Sequence, residues 1–321
     1  MSPAPLYVDC DTGIDDALAL GWLAASPEVE VVGVGTVSGN VSAAQGARNT
    51  IDVLALAGRS WPVAVGAAEP SDGGFTRSGF DGGATHVHGP SGLGGFSAPR
   101  AAGTPLDVDA AELLISLARE HGGELHILAV GPLTNLAEAL RREPALPSLI
   151  AEVTIMGGAA LVPGNISPVT EANIGNDPEA AQAVLSAPWP VTLVPLDVTL
   201  AHPLDEAGRH RLLDSGRPLA SALGEMLDFY FDFNSTFYGE RRSALHDPLA
   251  AAIATGTVRP SVAPRVHVEV DTTDGPGRGQ TICDLRGRFL GHPDQPGAHV
   301  RVVLELGSDF APVLLDRLLE V

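Results

Sequence analysis

The feature that most constrains the fold is an alternation of short apolar runs with segments of helical spacing. The first run covers 6–10 and helical spacing follows over 15–25; the Val-rich stretch 29–37 has the composition of a buried strand. A helix is predicted over 42–57, stopped by Gly58. A strand at 61–65, a helix at 109–121, a strand at 125–130 and a helix from Thr134, whose hydroxyl is placed to cap it, continue the order. Strands at 153–156 and 191–195 complete the set. Strands that alternate with helices pair in parallel, because the helix is the compact crossover. The expected fold is α/β, an open, mostly parallel, Rossmann-like sheet flanked by helices. Val266, Val268 and Val270, after Ala263, suggest a small mixed extension of that sheet. One domain is expected over 1–321, with no internal repeat or linker.

Composition narrows the function. The formal net charge of -20 argues against a nucleic-acid partner, since phosphates are held by clustered Lys and Arg. All 19 basic residues are Arg, which removes every mechanism that needs a lysine. Cys10 and Cys283 are too few for a disulfide framework and fit a reducing cytoplasm. No signal peptide is readable, and no apolar run approaches the ~18 residues of a membrane helix. A cytoplasmic protein with no membrane partner is expected.

Two stretches, 66–104 and 157–176, are rich in Gly and polar residues and exceed the usual connection of ~4–6 residues, which marks them as functional loops. The sharper signal is the string DCDTGIDDA, where Asp9, Asp11, Asp15 and Asp16 crowd the end of the first strand and the start of the first helix. Ligands bind outside the carboxyl ends of strands in open α/β sheets. A helix dipole would account for one or two of these aspartates. Four need a counter-charge, and no Lys or Arg precedes Arg48. A hard divalent cation answers that need, Ca2+ more readily than Mg2+ at a high ligand count. DCDTG also fits the DxDxT motif of haloacid-dehalogenase-type phosphatases, with Asp9 as nucleophile, although those enzymes ordinarily use a later lysine.

Further polar groups stand where strands should end: Asn40 in TVSGNV, Val130 in ILAVGPLTN, Met156 in IMGGA, Asn165, Glu171 and Asn173 in GNISPVTEANIGNDPEAA, and His246 with Asp247 in ALHDPLA. Together with DCDTGIDDA this set resembles the inosine-uridine-preferring nucleoside hydrolases, from about Tyr7 to Ala250. The resemblance implies hydrolysis of ribonucleosides to ribose and free base, in nucleoside catabolism and salvage, by a homodimer or homotetramer. It implies one Ca2+ held by Asp11, Asp16, Asp247 and the main-chain carbonyl of Val130, with a water on that ion activated by Asp11. It places Asp15, Asn40 and Asn173 on the ribose 2′- and 3′-hydroxyls, Asn165 and Glu171 on the 5′-hydroxyl, Met156 against the sugar, and Asp9 behind the cluster.

The chemistry agrees with that assignment. Cleaving an N-glycosidic bond passes through an oxocarbenium-like cation, which carboxylates and amide oxygens stabilise. His246 is a candidate general acid for the leaving base, the alternative being that it only orients Asp247. His88, in THVHGPSGLGG, resembles the histidine of the family's substrate-closing loop; the plainer reading is an exposed loop residue. Tyr230, Asn234 and Tyr238 share a face of the helix predicted over 223–238. Asn234 and Tyr238 imitate the base contacts of pyrimidine-preferring relatives, while core packing is the alternative. Purine-specific relatives stack the base between tryptophans; Trp22, Trp61 and Trp189 fall in predicted helix or strand positions instead. A nucleoside-binding protein without catalysis is the remaining alternative.

Overall fold

The computed structural model describes residues 3–71 and 84–320, with the side chain of Tyr238 outside the described residues. The chain opens with β1 (Ala4–Cys10), α1 (Ile14–Ala24), β2 (Val29–Thr36), α2 (Ala43–Leu56), β3 (Val63–Val65), the short α3 (Thr85–His88) and α4 (Ala110–His121). It continues through β4 (Leu125–Ala129), α5 (Thr134–Arg142), β5 (Ile150–Met156), α6 (Ala172–Asn176), α7 (Pro178–Ser186), β6 (Val191–Val194) and α8 (Leu196–Thr199). Next come β7 (Pro203–Asp205), α9 (Glu206–Leu213), the long α10 (Pro218–Tyr238), β8 (Arg242–Ala244) and α11 (His246–Ala254). Short strands β9 (Pro260–Val262), β10 (Arg265–Val266), β11 (Val268–Val270), β12 (Thr281–Cys283), β13 (Val300–Val302) and β14 (Glu305–Leu306) precede α12 (Ala311–Leu318).

Among the described residues, one sheet has eight strands in the order β10-β13-β6-β5-β4-β1-β2-β3. Pairing is parallel from β13 through to β3, and β10 alone runs antiparallel, against β13. The expected mostly parallel sheet is therefore present; of the valine-rich tail, Val266 in β10 extends it, whereas Val268 and Val270 lie in β11, which pairs with β12 in a separate two-stranded sheet. Apolar clusters cover both faces. The alternation of β1 feeds both: Leu6, Val8 and Cys10 enter one cluster and Tyr7 the other. Asp9 shares the Tyr7 face and accepts its phenol at 2.9 Å.

The strand order also positions the site. The chain winds outward from β1 to β3, then returns to lay β4 beside β1 and winds the other way. The reversal leaves a crevice at the carboxyl ends of β1 and β4, the usual ligand position of such sheets.

Three local expectations are corrected. The Thr134 hydroxyl caps nothing; Leu133 stands at that helix start, and Thr134 donates to the buried Asp177 carboxylate at 2.7 Å. Thr134 is itself the first helical residue, one position too late to cap the helix, and its hydroxyl donates to a charged acceptor instead. The helix predicted over 223–238 begins earlier, at Pro218, whose fixed φ suits a first helical turn. Trp61 and Trp189 lie outside helices and strands; the Trp189 indole donates to the Val184 carbonyl at 2.9 Å in the turn before β6.

Candidate active site

β1 ends at Cys10 and α1 begins at Ile14, so residues 11–13 form a tight strand-to-helix turn. The third helical residue, Asp16, closes it by accepting from the backbone amides of Gly13 at 2.7 Å and Asp11 at 3.2 Å. A carboxylate there satisfies helix-start donors and lies at the positive end of the helix dipole. Both oxygens of Asp11 face Asn40, one accepting from its backbone amide at 2.6 Å and the other from Nδ2 at 3.2 Å. Asn40 Nδ2 also donates to Asp16 at 3.2 Å. Asp247 arrives from the first turn of α11.

Carboxylate oxygens of Asp15, Asp16 and Asp247 lie within 4.8 Å of one another, and all three residues are buried. This group includes Asp15 and not Asp11, both of whose oxygens are bonded by Asn40. Burial, with the Asp15 charge beside it, raises Asp16 to about 7. Burial likewise pushes Asp11 and Asp247 well above the carboxylate range, neighbouring carboxylates adding to the effect. Among the described residues, no arginine lines the adjoining cavity. A buried oxygen-only cluster short of positive charge fits a hard divalent cation.

That cavity, about 610 Å³, gathers most of the expected site: Asp15, Asn40, His88, Val130, Met156, Asn165, Glu171, Asn173, Asn234, His246 and Asp247 line it. Asp11 and Asp16 are buried and are not among the lining residues. Asn173 Nδ2 donates to the carbonyls of Val130 at 3.1 Å and Met156 at 3.2 Å, joining the ends of β4 and β5. Glu171 caps α6, accepting from Asn173 N at 2.9 Å and Ile174 N at 3.1 Å, and takes Gly158 N at 2.9 Å. Burial raises it to about 7 against the pull of those three amides. Asn165 Oδ1 accepts from Ala172 N at 2.9 Å.

The two histidines are buried in the site. His88 is only 4% exposed, so the exposed-loop reading is corrected. Its Nδ1 accepts from Ile14 N at 3.1 Å; an amide can only donate, so the neutral ring carries its proton on Nε2. His246 Nδ1 lies 2.8 Å from the Thr199 hydroxyl. Burial lowers the pKa of both rings.

The inosine-uridine preferring nucleoside hydrolase family model matches residues 6–310. The chain belongs to this family and is an N-glycosyl hydrolase. It is 35% identical to a pyrimidine-specific ribonucleoside hydrolase, RihA, of Salmonella paratyphi B over 98% of each chain. It is 32% identical to a probable uridine nucleosidase 2 of Arabidopsis thaliana, over 98% of this chain and 97% of that one. Among solved structures, the plant nucleoside hydrolase PpNRh1 superposes with a TM-score of 0.91 at 30% identity, covering 99% of this chain and 100% of the other.

Within this hydrolase the phosphatase reading lacks a nucleophile. Asp9 is buried, bonded to the Tyr7 phenol and to Asn135 Nδ2 at 3.1 Å, and does not line the cavity. Its partner Asn135 also receives the Ala67 amide at 2.8 Å, so Asp9 braces the β2–β3 side of the site. Sequence reasoning gave no site role to Tyr230, Phe233 or Phe237, all cavity-lining. Tyr230 donates to Asp15 at 3.4 Å and stacks at 5.1 Å on His88. The available signal was their spacing with Asn234, which puts all four on one side of α10. None of the three tryptophans lines the cavity.

Proposed function

We propose that this hydrolase cleaves the N-glycosidic bond of ribonucleosides, uridine, cytidine or inosine, to ribose and free base. The observation that carries the reading is the meeting of Asp15, Asp16 and Asp247 within 4.8 Å at the carboxyl edge of the sheet. Asp11, Asp16, Asp247 and the Val130 carbonyl would hold Ca2+, with Asp15 close enough to share it or to grip a ribose hydroxyl. When bound, the cation neutralises these carboxylates and supplies Lewis-acid activation of water.

The chain's own residues do the rest. Asp11 accepts the proton of the water that attacks C1′. As the C1′–N bond breaks, positive charge grows on the ribosyl ring and the surrounding carboxylate and amide oxygens stabilise it. Asp15, Asn40 and Asn173 hold the 2′- and 3′-hydroxyls; Asn165 and Glu171 hold the 5′-hydroxyl while Met156 packs on the sugar. Because the Asn173 amide nitrogen serves two carbonyls, its Oδ1 is the atom offered to a hydroxyl. His246 donates a hydrogen bond to the departing base through Nε2 while Thr199 holds Nδ1. The reading includes work in nucleoside salvage in the cytoplasm as a homodimer or homotetramer; among the described residues no helix is long and apolar enough to cross a membrane.

The test is release of ribose from a panel of ribonucleosides by Ca2+-loaded protein, lost on stringent chelation and in Asp11→Asn. No ribose from any member of the panel would overturn the proposal.

A further inference from the structure

The small sheet of β11 and β12 stands apart from the eight-stranded sheet, and the turn joining its strands meets the loop 157–176. The Thr170 hydroxyl donates to the Arg278 carbonyl at 2.8 Å, and a single antiparallel bridge pairs Thr170 with Gln280. Gly279 has a φ of +80°, and a Cβ added to it would be 2.5 Å from Thr170 Cγ2 and 3.2 Å from Gly175 Cα. One residue after Gln280, Thr281 packs on Gly158, where an added Cβ would be 2.7 Å from the Thr281 hydroxyl.

These three contact points, Gly158, Thr170 and Gly175, surround Glu171. Thr170 precedes it in the chain, the Gly158 amide donates to its carboxylate at 2.9 Å, and the Gly175 amide donates to its carbonyl at 2.8 Å. The Thr170 carbonyl also accepts from the amides of Asn165 at 3.1 Å and Ile166 at 3.2 Å, which fixes the turn that carries Asn165. The support is itself anchored. Arg278 bonds the Thr272 carbonyl and Glu179 of α7, each at 2.8 Å, and the Val270 amide donates to Gln182 of α7 at 2.6 Å. Among the described residues, 278–281 do not line the cavity, so they reach it only through the residues they hold.

We infer that residues 278–281 are a clamp that positions Glu171 and Asn165, and thereby sets how strictly the site requires a 5′-hydroxyl. The Glu171 carboxylate offers about four lone-pair sites, and three backbone amides already occupy three of them. The remaining site, on Oε1, is a single acceptor, and a hydrogen bond to it weakens steeply when its direction is lost. Residues that keep Glu171 from shifting therefore govern that bond without touching substrate. This inference rests on the reading of Asn165 and Glu171 as the 5′-hydroxyl contacts of a ribonucleoside hydrolase.

The experiment measures release of free base from uridine and inosine, each against its 5′-deoxy form, by wild type, Thr170→Ser, Thr170→Val and Gly279→Ala. Wild type should favour the 5′-hydroxyl in kcat/KM by on the order of 10⁴-fold, because its absence leaves buried polar groups unpaired. Alanine at 279 must push the Thr170 side chain by ~1 Å, and the preference should fall roughly 100-fold. Thr170→Val leaves the Arg278 carbonyl without its donor and should reduce the preference roughly 3- to 10-fold, while Thr170→Ser, which keeps the hydroxyl, should stay within about twofold of wild type. Thr170→Val carries the test if Gly279→Ala does not fold, since it adds no bulk and needs no left-handed backbone. A merely structural role would lower the activity on both forms of each substrate together. Proportional losses of that kind, or a preference unchanged in the variants, overturn the clamp and leave the hydrolase reading standing. An active wild type indifferent to the 5′-hydroxyl overturns the clamp and the roles of Asn165 and Glu171. A wild type that releases no base from any ribonucleoside overturns the hydrolase reading as well.

Discussion

Two glycines lie against Asp11, and alanine at each should have opposite consequences. A Cβ on Gly39 would sit 2.0 Å from Asp11 Oδ2 and 2.9 Å from both Asp11 Cγ and Pro132 Cδ. Ordinary contact is about 3.5 Å, so carboxylate and methyl must part by roughly 1–1.5 Å. The backbone of Gly39 is not in the left-handed region, which leaves the collision as the whole cost. Asp11 can yield only by giving up its bonds to Asn40, which follows Gly39 directly. A misplacement of ~1 Å at a reacting group costs on the order of 100-fold in rate, and that is the loss expected in kcat for Gly39→Ala. Overpacking should also lower stability by about 1–3 kcal/mol.

Gly46, in α2, approaches the same residue from another side. Its added Cβ would lie 3.6 Å from the Asp11 carbonyl carbon and 3.7 Å from the carbonyl oxygen, an ordinary contact. Alanine in a helix interior is favoured over glycine by about 0.8–1 kcal/mol, so Gly46→Ala should raise Tm by ~2 °C with kcat unchanged. Steady-state kinetics and thermal melts on the two variants decide the matter. If Gly39→Ala keeps kcat within threefold of wild type, the position of Asp11 does not govern the chemistry and the argument fails.

Other consequences follow from the same geometry. In chelator, Glu171 and Asp16, both raised to about 7, keep protons in the folded state that the unfolded chain has released above pH ~4. Their contribution to stability is thus fully present below pH ~4 and lost as pH rises through 7, with Glu171 alone worth on the order of 3 kcal/mol. Chelated protein should therefore melt higher at pH 5.5 than at pH 8, and saturating Ca2+ should flatten the profile; the reverse order would refute the burial argument. If Asp15, Asn40 and Asn173 hold the ribose diol, kcat/KM for 2′-deoxyuridine should fall by roughly 10⁴-fold relative to uridine, and parity would remove them from that role. Thr134→Val should cost about 1–3 kcal/mol, because it strips a donor from the buried Asp177, and leave kcat unchanged. An unchanged melt would show that this hydroxyl does no more than an exposed one.

What was legible in the sequence depended on how far each inference had to reach. The parallel sheet follows from local order, since a short apolar run followed by a helix has few ways to bury both. The aspartate cluster was legible because its eight residues hold four acids with no cation before Arg48. Which way those acids point was not, because it is decided by partners from distant elements: Asn40 bonds both oxygens of Asp11 and also Asp16, while Asp247 comes from α11 to meet Asp15 and Asp16. Thr134 fails for the same reason, its hydroxyl answering to an aspartate 43 residues on rather than to its own helix. Phe233 and Phe237 expose the limit most clearly. Helical spacing states that two rings share a face, but says nothing of what faces them. An aromatic pair over a core and one beside a cavity have the same period. Here the opposing wall is His86 and His88, carried on a four-residue helix whose position no periodicity encodes. A site residue is therefore readable in advance where its chemistry is unusual for its surroundings, as with four acids and no cation. Where a binding residue is of the same type as a core residue, only the packed structure separates them.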